Sequence, residues 1–159
     1  MLIHRESWGV YAIAATPFRE DGALDVDGID RLVAFYEGCG VHGLTILGVM
    51  GEAPKLAPDE SRDVIGRVLR RASVPVVVGV SAGGIDNRAR LARVAMDAGA
   101  AGVMVAPPAG LGTEEAVAGY FSAVCAALGP DIPVCLQDYP QLTGVRISVA
   151  TILRLASEL

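Results

Sequence analysis

Short apolar runs return along this chain at a nearly constant interval, and this repeat constrains the fold more than any other feature. The runs start 34, 32, 27 and 31 residues apart. Because they are almost wholly apolar rather than alternating, they indicate strands of a parallel sheet that is covered on both faces. The five predicted strands are Val10–Ala15, Leu44–Leu47, Val76–Val80, Val103–Ala106 and Val134–Leu136.

An amphipathic segment follows each run, with apolar residues three or four positions apart, and so predicts a helix. Asp25 and Thr113 are suited to cap two of these helices, and Pro58 suits the first position of another. The predicted helices are Val26–Tyr36, Pro58–Arg71, Asp86–Ala98, Thr113–Leu128 and Ser148–Glu158. We therefore expect one α/β domain over residues 1–159, built of βα units without a linker.

Two architectures accept five βα units. One is a flavodoxin-like, five-stranded, doubly wound sheet, which would bind a nucleotide or phosphate at its switch point. The other is a partial (β/α)8 barrel, since a complete barrel has about 250 residues and this chain has 159. Length by itself favours the open sheet.

The composition excludes several classes of partner. The net charge is −5 and there is no basic run, so neither nucleic acid nor an anionic membrane is an expected partner. Three cysteines without CxxC spacing indicate reduced thiols in a cytoplasmic protein, and we expect neither a metal site nor a cofactor. The first ten residues have no apolar stretch of the signal-peptide type, and we expect no membrane span.

The segment Gly79–Gly83 matches the G-x-S-x-G pattern of a nucleophile elbow, with Ser81 as the nucleophile. A hydrolase of that class needs a histidine after the serine, yet His4 and His42 both precede Ser81. The pattern is therefore interpreted as a glycine-rich turn from strand to helix.

The segment Gly48–Glu52 follows the second predicted strand. Its glycines would let successive backbone N–H groups converge on an anion such as a substrate carboxylate, although a simple tight turn is the alternative. Lys55, the only lysine in the sequence, follows this segment and is expected to be a solvated surface residue.

Gln137, Asp138 and Tyr139 form the densest polar cluster at the end of a predicted strand. Active sites of α/β folds lie at the carboxyl ends of their strands, so this cluster is a candidate site, with a surface turn before Pro140 as the alternative. His42 lies at the opposite, amino end of a strand, where a structural role is expected.

Taken in order, these features resemble the dihydrodipicolinate synthase and N-acetylneuraminate lyase family of class I aldolase-type enzymes. The resemblance runs from about Trp8 to Leu159. It rests on Ala15–Phe18 with Asp21–Gly22, on Gly48, Gly51 and Glu52 with Leu56 and Glu60, on Pro107, and on Pro140 with Thr143–Gly144. The order and spacing of these motifs overturn the argument from length.

The resemblance implies a (β/α)8 barrel in which a lysine on the sixth strand forms a Schiff base with pyruvate or another 2-oxo acid. It implies a homo-oligomer with a small-molecule substrate. The substrate-binding positions it implies are Thr16, Val49, Met50, Gly51 and Glu52, and the catalytic positions are Gln137, Asp138 and Tyr139. This chain reads as the first five units of a truncated barrel, and the catalytic lysine is expected beyond it.

Some residues depart from the family pattern. Val49 and Met50 stand where the family has hydroxylic residues, and Gln137 stands in place of the strand-five tyrosine. The tyrosine after Pro107 is replaced by Pro108–Ala109, so the usual Tyr-Thr-Tyr proton relay is absent and the synthase activity itself is not expected.

The strand-five motif is closer to the branch that dehydrates or cleaves 2-keto-3-deoxy sugar acids. The leading hypothesis is thus a Schiff-base lyase of aldolase or dehydratase type. The rival is a non-catalytic, degenerate barrel that acts as a binding or scaffold protein. A partial barrel of this kind should have its strands in sequential order, helices on the convex side, and Ile, Val and Met side chains left open on the concave side.

Overall fold

The computed structural model describes residues 1–81 and 83–159. Its strands are β1 (Tyr11–Ile13), β2 (Gly43–Ile46), β3 (Val76–Gly79), β4 (Gly102–Val105) and β5 (Val134–Leu136). Its α-helices are α1 (Val26–Gly38), α2 (Pro58–Arg71), α3 (Ile85–Asp97), α4 (Glu114–Leu128), α5 (Pro140–Thr143) and α6 (Val149–Glu158), and Ala53–Lys55 form a single 3-10 turn.

The strands form one parallel sheet in the order β1-β2-β3-β4-β5. A flavodoxin-like sheet has the order 2-1-3-4-5, so that alternative is wrong. When every strand pairs with its sequence neighbour, right-handed crossovers place all the helices on the same side of the sheet. This is the arrangement of a barrel wall, as the motifs predicted.

Alternate strand residues form the core with the helices. Leu44 and Ile46 of β2, and Val103 and Val105 of β4, are at most 3% exposed and belong to the buried cluster that contains Val33 of α1. The helices contact one another in the pairs α1–α2, α2–α3, α3–α4 and α4–α6, and α3 also contacts β4. The convex face of the sheet is thus the helix-covered face.

The residues that alternate with these core positions along each strand lie on the opposite, concave face of the sheet. Ile13, Thr45 and Val77 are paired across β1, β2 and β3, and Met104 is paired with Gly79. The expected residue types lie there, but the expectation that they are open is wrong for Val77 and Met104, which are 4% and 6% exposed.

Glycines make this close packing possible. A Cβ placed at Gly48 would lie 3.3 Å from the terminal methyl of Met104 and 3.6 Å from a methyl of Ile13. Met104 therefore reaches from β4 toward β1 across the concave face, and its flexible thioether side chain fills this space.

The N-terminal segment crosses the amino end of the sheet. The Ile3 amide donates to the Ala101 carbonyl (2.8 Å), and the Arg5 guanidinium donates to the Ala156 carbonyl at the end of α6 (2.5 Å). His42 Nδ1 accepts from the Val10 amide (3.1 Å), and its ring lies 4.8 Å from that of Trp8. His42 thus has the structural contacts expected from its position.

The helix ends agree with the sequence. The Asp25 and Thr113 side chains accept from the amides of Gly28 and Ala116, and Pro58 is the first residue of α2. The sequence did not predict α5, because four residues are too few to show a helical period. None of the helices in the described parts of the chain is long and apolar enough to cross a membrane.

Candidate active site

The turn that follows β2 is held to the end of β1 by a buried hydroxyl. Thr16 is 7% exposed, and its Oγ1 donates to the carbonyl of Gly51 (2.7 Å). Glu52 and Leu47, which flank the turn, both adopt left-handed backbone conformations with φ near 50° (52° and 53°). Such strain in non-glycine residues persists only where the surroundings enforce it, and it is frequent at functional sites.

Two glycines let the turn pack this tightly. A Cβ at Gly51 would lie 3.1 Å from the Leu47 amide nitrogen and 3.3 Å from the Ala14 carbonyl oxygen. A Cβ at Gly79 of β3 would lie 2.8 Å from the carbonyl carbon of Leu47. The turn is therefore pressed against β1 on one side and β3 on the other, and its shape is fixed by backbone contacts.

The turn presents backbone donors together with apolar side chains. Within residues 1–81 and 83–159, the amides of Val49, Met50 and Gly51 donate to no acceptor, whereas the Glu52 amide donates to the Val49 carbonyl (3.1 Å). The Val49 and Met50 side chains are 39% and 59% exposed. Successive unpaired N–H groups of this kind can bind an anion such as a carboxylate.

Glu52 and Lys55, at the end of the turn, form an ion pair. Lys55 Nζ lies 2.6 Å from Glu52 Oε2, and the lysine side chain is 75% exposed. A solvated ammonium with a carboxylate beside it is a poor nucleophile, because imine formation needs the neutral amine. The prediction that Lys55 is a surface residue is confirmed.

The strand-five residues lie farther along the same sheet edge. The Gln137 amide donates to the Val105 carbonyl of β4 (2.9 Å), and Gln137 is half-buried, whereas Asp138 is exposed and Tyr139 is 40% exposed. Because β5 ends at Leu136, strand alternation no longer decides which way Asp138 and Tyr139 face. The backbone at Tyr139 is held by α5, because the Tyr139 carbonyl accepts a hydrogen bond from the Thr143 hydroxyl (3.2 Å).

The structure thus joins Thr16 to the Gly51 turn directly and places Gln137–Tyr139 on the same edge, with β3 and β4 between the two groups. This arrangement surrounds the carboxyl ends of the strands, where barrel enzymes bind their substrates.

Ser81 follows β3, and no histidine is hydrogen-bonded to it within residues 1–81 and 83–159. Its Oγ accepts from the Ala106 amide (3.2 Å). His42 is engaged at the opposite end of the sheet with Val10, which leaves the elbow interpretation without a base. Ala82 of this motif lies outside the described residues.

Two residues at this edge had no signal in the sequence. The Tyr120 hydroxyl of α4 donates to the Ala106 carbonyl (3.1 Å), and the Arg88 guanidinium of α3 lies 5.2 Å from the centre of the Tyr120 ring. Both residues fit an amphipathic helix pattern, so only their tertiary contacts distinguish them. Burial raises the pKa of the Tyr120 phenol above 10.0, and the Arg88 charge opposes this change.

The chain is similar in sequence and structure to enzymes that are named synthases. A 4-hydroxy-tetrahydrodipicolinate synthase of Methanothrix thermoacetophila is 34% identical over 149 residues, which are 93% of this chain and 50% of that protein. The crystal structure of dihydrodipicolinate synthase from Rhodopseudomonas palustris matches with a TM-score of 0.96 and 45% identity, covering 99% of this chain and 53% of that one.

The enzyme of the same name from Aquifex aeolicus matches with a TM-score of 0.83 and 30% identity, covering 94% of this chain and 51% of that one. The chain spans about half the length of the curated relatives it matches. The fold is therefore part of an aldolase-type barrel. The family model described as the dihydrodipicolinate synthetase family matches residues 6–158, and the chain belongs to that family.

Proposed function

We propose that this chain provides the carboxylate-binding part of a lyase site for a 2-oxo acid. The observation that carries the proposal is the turn at residues 47–52, which Thr16 holds to β1 and whose N–H groups at Val49, Met50 and Gly51 have no acceptor in the described chain. The attacking amine is a lysine outside these 159 residues, because the only lysine of this chain, Lys55, is solvated and paired.

Each group has a defined part in the reaction. The substrate carboxylate accepts from the turn amides, which orients the neighbouring ketone toward the lysine. Condensation of the amine with the ketone releases water and forms an imine. In aldol cleavage the protonated imine accepts the electron pair of the breaking C–C bond, Asp138 or Tyr139 takes the proton of the substrate hydroxyl, and the fragment leaves as a carbonyl compound. In dehydration the same group takes the C–H proton and returns it to the departing hydroxyl, which leaves as water. Gln137 binds a substrate hydroxyl, and hydrolysis of the remaining imine releases the product and the lysine.

The polar strand-five group favours a hydroxylated substrate. Gln137 and Asp138 offer an amide and a carboxylate where a phenol is usual, and Val49 and Met50 leave only backbone donors for the carboxylate. We propose a 2-keto-3-deoxy sugar acid as substrate, with dehydration or aldol cleavage as the reaction. Assembly as a homo-oligomer and a cytoplasmic location complete the proposal.

The test uses the full product of the gene. The protein is incubated with pyruvate or with 2-keto-3-deoxygluconate, reduced with borohydride and mapped by mass spectrometry. We expect a trapped adduct on a lysine outside residues 1–159, unchanged in the Lys55→Arg variant. Turnover is compared between the sugar acid and condensation to 4-hydroxy-tetrahydrodipicolinate, the product in the names of the curated relatives. An adduct on Lys55, or none at all, would refute the proposal.

A non-catalytic binding protein is the second candidate, and the exposure of Lys55 and its ion pair with Glu52 favour it. It predicts that pyruvate binds reversibly without a trappable adduct. Equilibrium dialysis with labelled pyruvate, followed by borohydride reduction of the same sample, separates the two candidates.

A further inference from the structure

The peptide unit of Ala106, the residue directly after β4, is held from both sides. The Ser81 hydroxyl accepts from its N–H (3.2 Å), and the Tyr120 hydroxyl donates to its carbonyl (3.1 Å). Ser81 follows β3, whereas Tyr120 projects from the middle of α4. Two elements that are separate in sequence thus fix one peptide at the edge of the site.

The Arg88 guanidinium lies over the ring of Tyr120. Arg88 is 7% exposed, its Nε has no hydrogen-bond partner among residues 1–81 and 83–159, and its guanidinium lies 5.2 Å from the Tyr120 ring centre. A buried cation over an aromatic face is attracted by the ring electrons, which restricts the orientation of both groups. A phenol is protonated at neutral pH, so the Tyr120 hydroxyl can donate to the Ala106 carbonyl, and burial raises the pKa of this phenol further.

This group of contacts continues into the strand-five cluster. Ala106 follows Val105, whose carbonyl accepts from the Gln137 amide (2.9 Å). The backbone position of Gln137, and of Asp138 after it, therefore depends on where the end of β4 lies. A displacement of Ala106 would be transmitted through one peptide and one hydrogen bond.

We propose that Tyr120, Arg88 and Ser81 are positioning residues that hold the end of β4, and through it Gln137 and Asp138, in the geometry for proton transfer. This inference rests on the proposed function, since it concerns the proton step at the same site. None of the three contacts the substrate in this scheme. Misplacement of a catalytic group by a fraction of an ångström slows the reaction without preventing binding.

The step to be measured is proton exchange at the carbon next to the imine. The C–H bond breaks, the proton moves to the strand-five base, and the electron pair moves to the imine nitrogen to form an enamine. In heavy water the reverse step returns a deuteron to carbon. The loss of the pyruvate methyl signal in proton NMR follows this exchange and needs no second substrate.

The experiment compares Tyr120→Phe and Ser81→Ala with wild-type full-length protein. Tyr120→Phe keeps the ring under Arg88 but removes the donor to Ala106. Ser81→Thr is the conservative variant, and Tyr36→Phe is the matched control, because the Tyr36 phenol on α1 donates to no acceptor in the described chain. Exchange rates are divided by the number of sites that borohydride traps.

We expect Tyr120→Phe and Ser81→Ala to slow exchange per trapped site by about 2- to 12-fold, the range that corresponds to one hydrogen bond. The trapped fraction should not change, and Ser81→Thr and Tyr36→Phe should match wild type. A purely structural role would lower the trapped fraction and leave the rate per site unchanged, which would overturn the inference. A wild-type protein that traps no pyruvate would instead refute the proposed function.

Discussion

Thr16 and Gly51 lie 35 positions apart in the sequence, yet the hydroxyl of one donates to the carbonyl of the other at 2.7 Å. This bond joins the segment after β1 to the turn after β2, whose amides at Val49, Met50 and Gly51 donate to no acceptor in residues 1–81 and 83–159.

Thr16→Val keeps the shape of the side chain but leaves the Gly51 carbonyl without its donor. An unsatisfied buried carbonyl costs about 1–3 kcal/mol, and the loosened turn should also bind pyruvate more weakly. Urea unfolding and pyruvate titration measure the two effects. Thr16→Ser, which retains the hydroxyl, should restore both, and equal behaviour of Val and Ser variants would show that the bond does not hold the turn.

Gly79→Ala tests the contact between β3 and the same turn. The added methyl would overlap the carbonyl of Leu47, and forced overpacking costs roughly 1–3 kcal/mol. Gly38→Ala, at the end of α1 where nothing lies within 4 Å, is the matched control and should be neutral or stabilising. Thermal unfolding of both variants decides the matter, and a Gly79→Ala protein as stable as wild type would contradict the tight packing.

The ion pair between α1 and α2 should make stability depend on pH in the acid range. Arg67 donates to both Asp30 oxygens (2.7 and 2.6 Å), and this bonding lowers the pKa of the Asp30 carboxyl below 3.8. Because folding lowers the pKa of Asp30, the ion pair stabilises the fold at pH values above the pKa of the unfolded chain, which is about 4. This stabilisation is lost as the pH falls through the pKa of Asp30 in the folded protein.

Asp30→Asn should therefore lower stability at neutral pH and flatten its decrease below about pH 4. Asp63→Asn is the control, because Asp63 is exposed and makes no ion pair in the described chain. Urea midpoints from pH 7 down to about 3 measure the difference. Parallel curves for wild type and Asp30→Asn would rule out the linkage.

Asp138 and Tyr139 are expected to matter more for turnover than Ser81 or either histidine. A positioned acid or base contributes about 10²–10⁴-fold in rate, so Asp138→Ala or Tyr139→Phe should lower the turnover of the full-length protein by that factor. His42→Gln, at the opposite end of the sheet, should leave the rate per folded molecule unchanged. If both strand-five variants retain wild-type turnover, residues outside this chain move the proton.

The repeat of apolar runs was sufficient to predict five βα units and their order along the chain. Buried parallel strands leave continuous apolar runs, and helices between them leave a regular period. Capping residues such as Asp25 and Thr113 were predicted for the same reason, because a cap acts within three residues of itself. Caps and periodic patterns depend on residues that are close in the sequence, so the sequence alone is enough to predict them.

The choice between barrel and open sheet needed more than length. The family motifs decided it in the sequence, and the strand order β1-β2-β3-β4-β5 decided it in the structure. Chain length favoured the open sheet, which is wrong, because part of a barrel and a small doubly wound sheet can contain the same number of βα units. The burial of Met104 was missed because its side chain packs near Gly48 and Ile13, which belong to other strand ends and are not indicated by the pattern of β4 itself.

The candidate site divides in the same way. Gly51 and the strand-five residues were found from sequence, since glycine-rich turns and polar clusters at strand ends are local signals. Other contacts of the site join residues that lie 14 to 35 positions apart. They are the hydrogen bond from Thr16 to Gly51 and the hydrogen bonds of Ala106 with Tyr120 and Ser81. Such contacts exist only after parallel pairing has brought successive strand ends to one edge, and therefore only the tertiary structure could decide them.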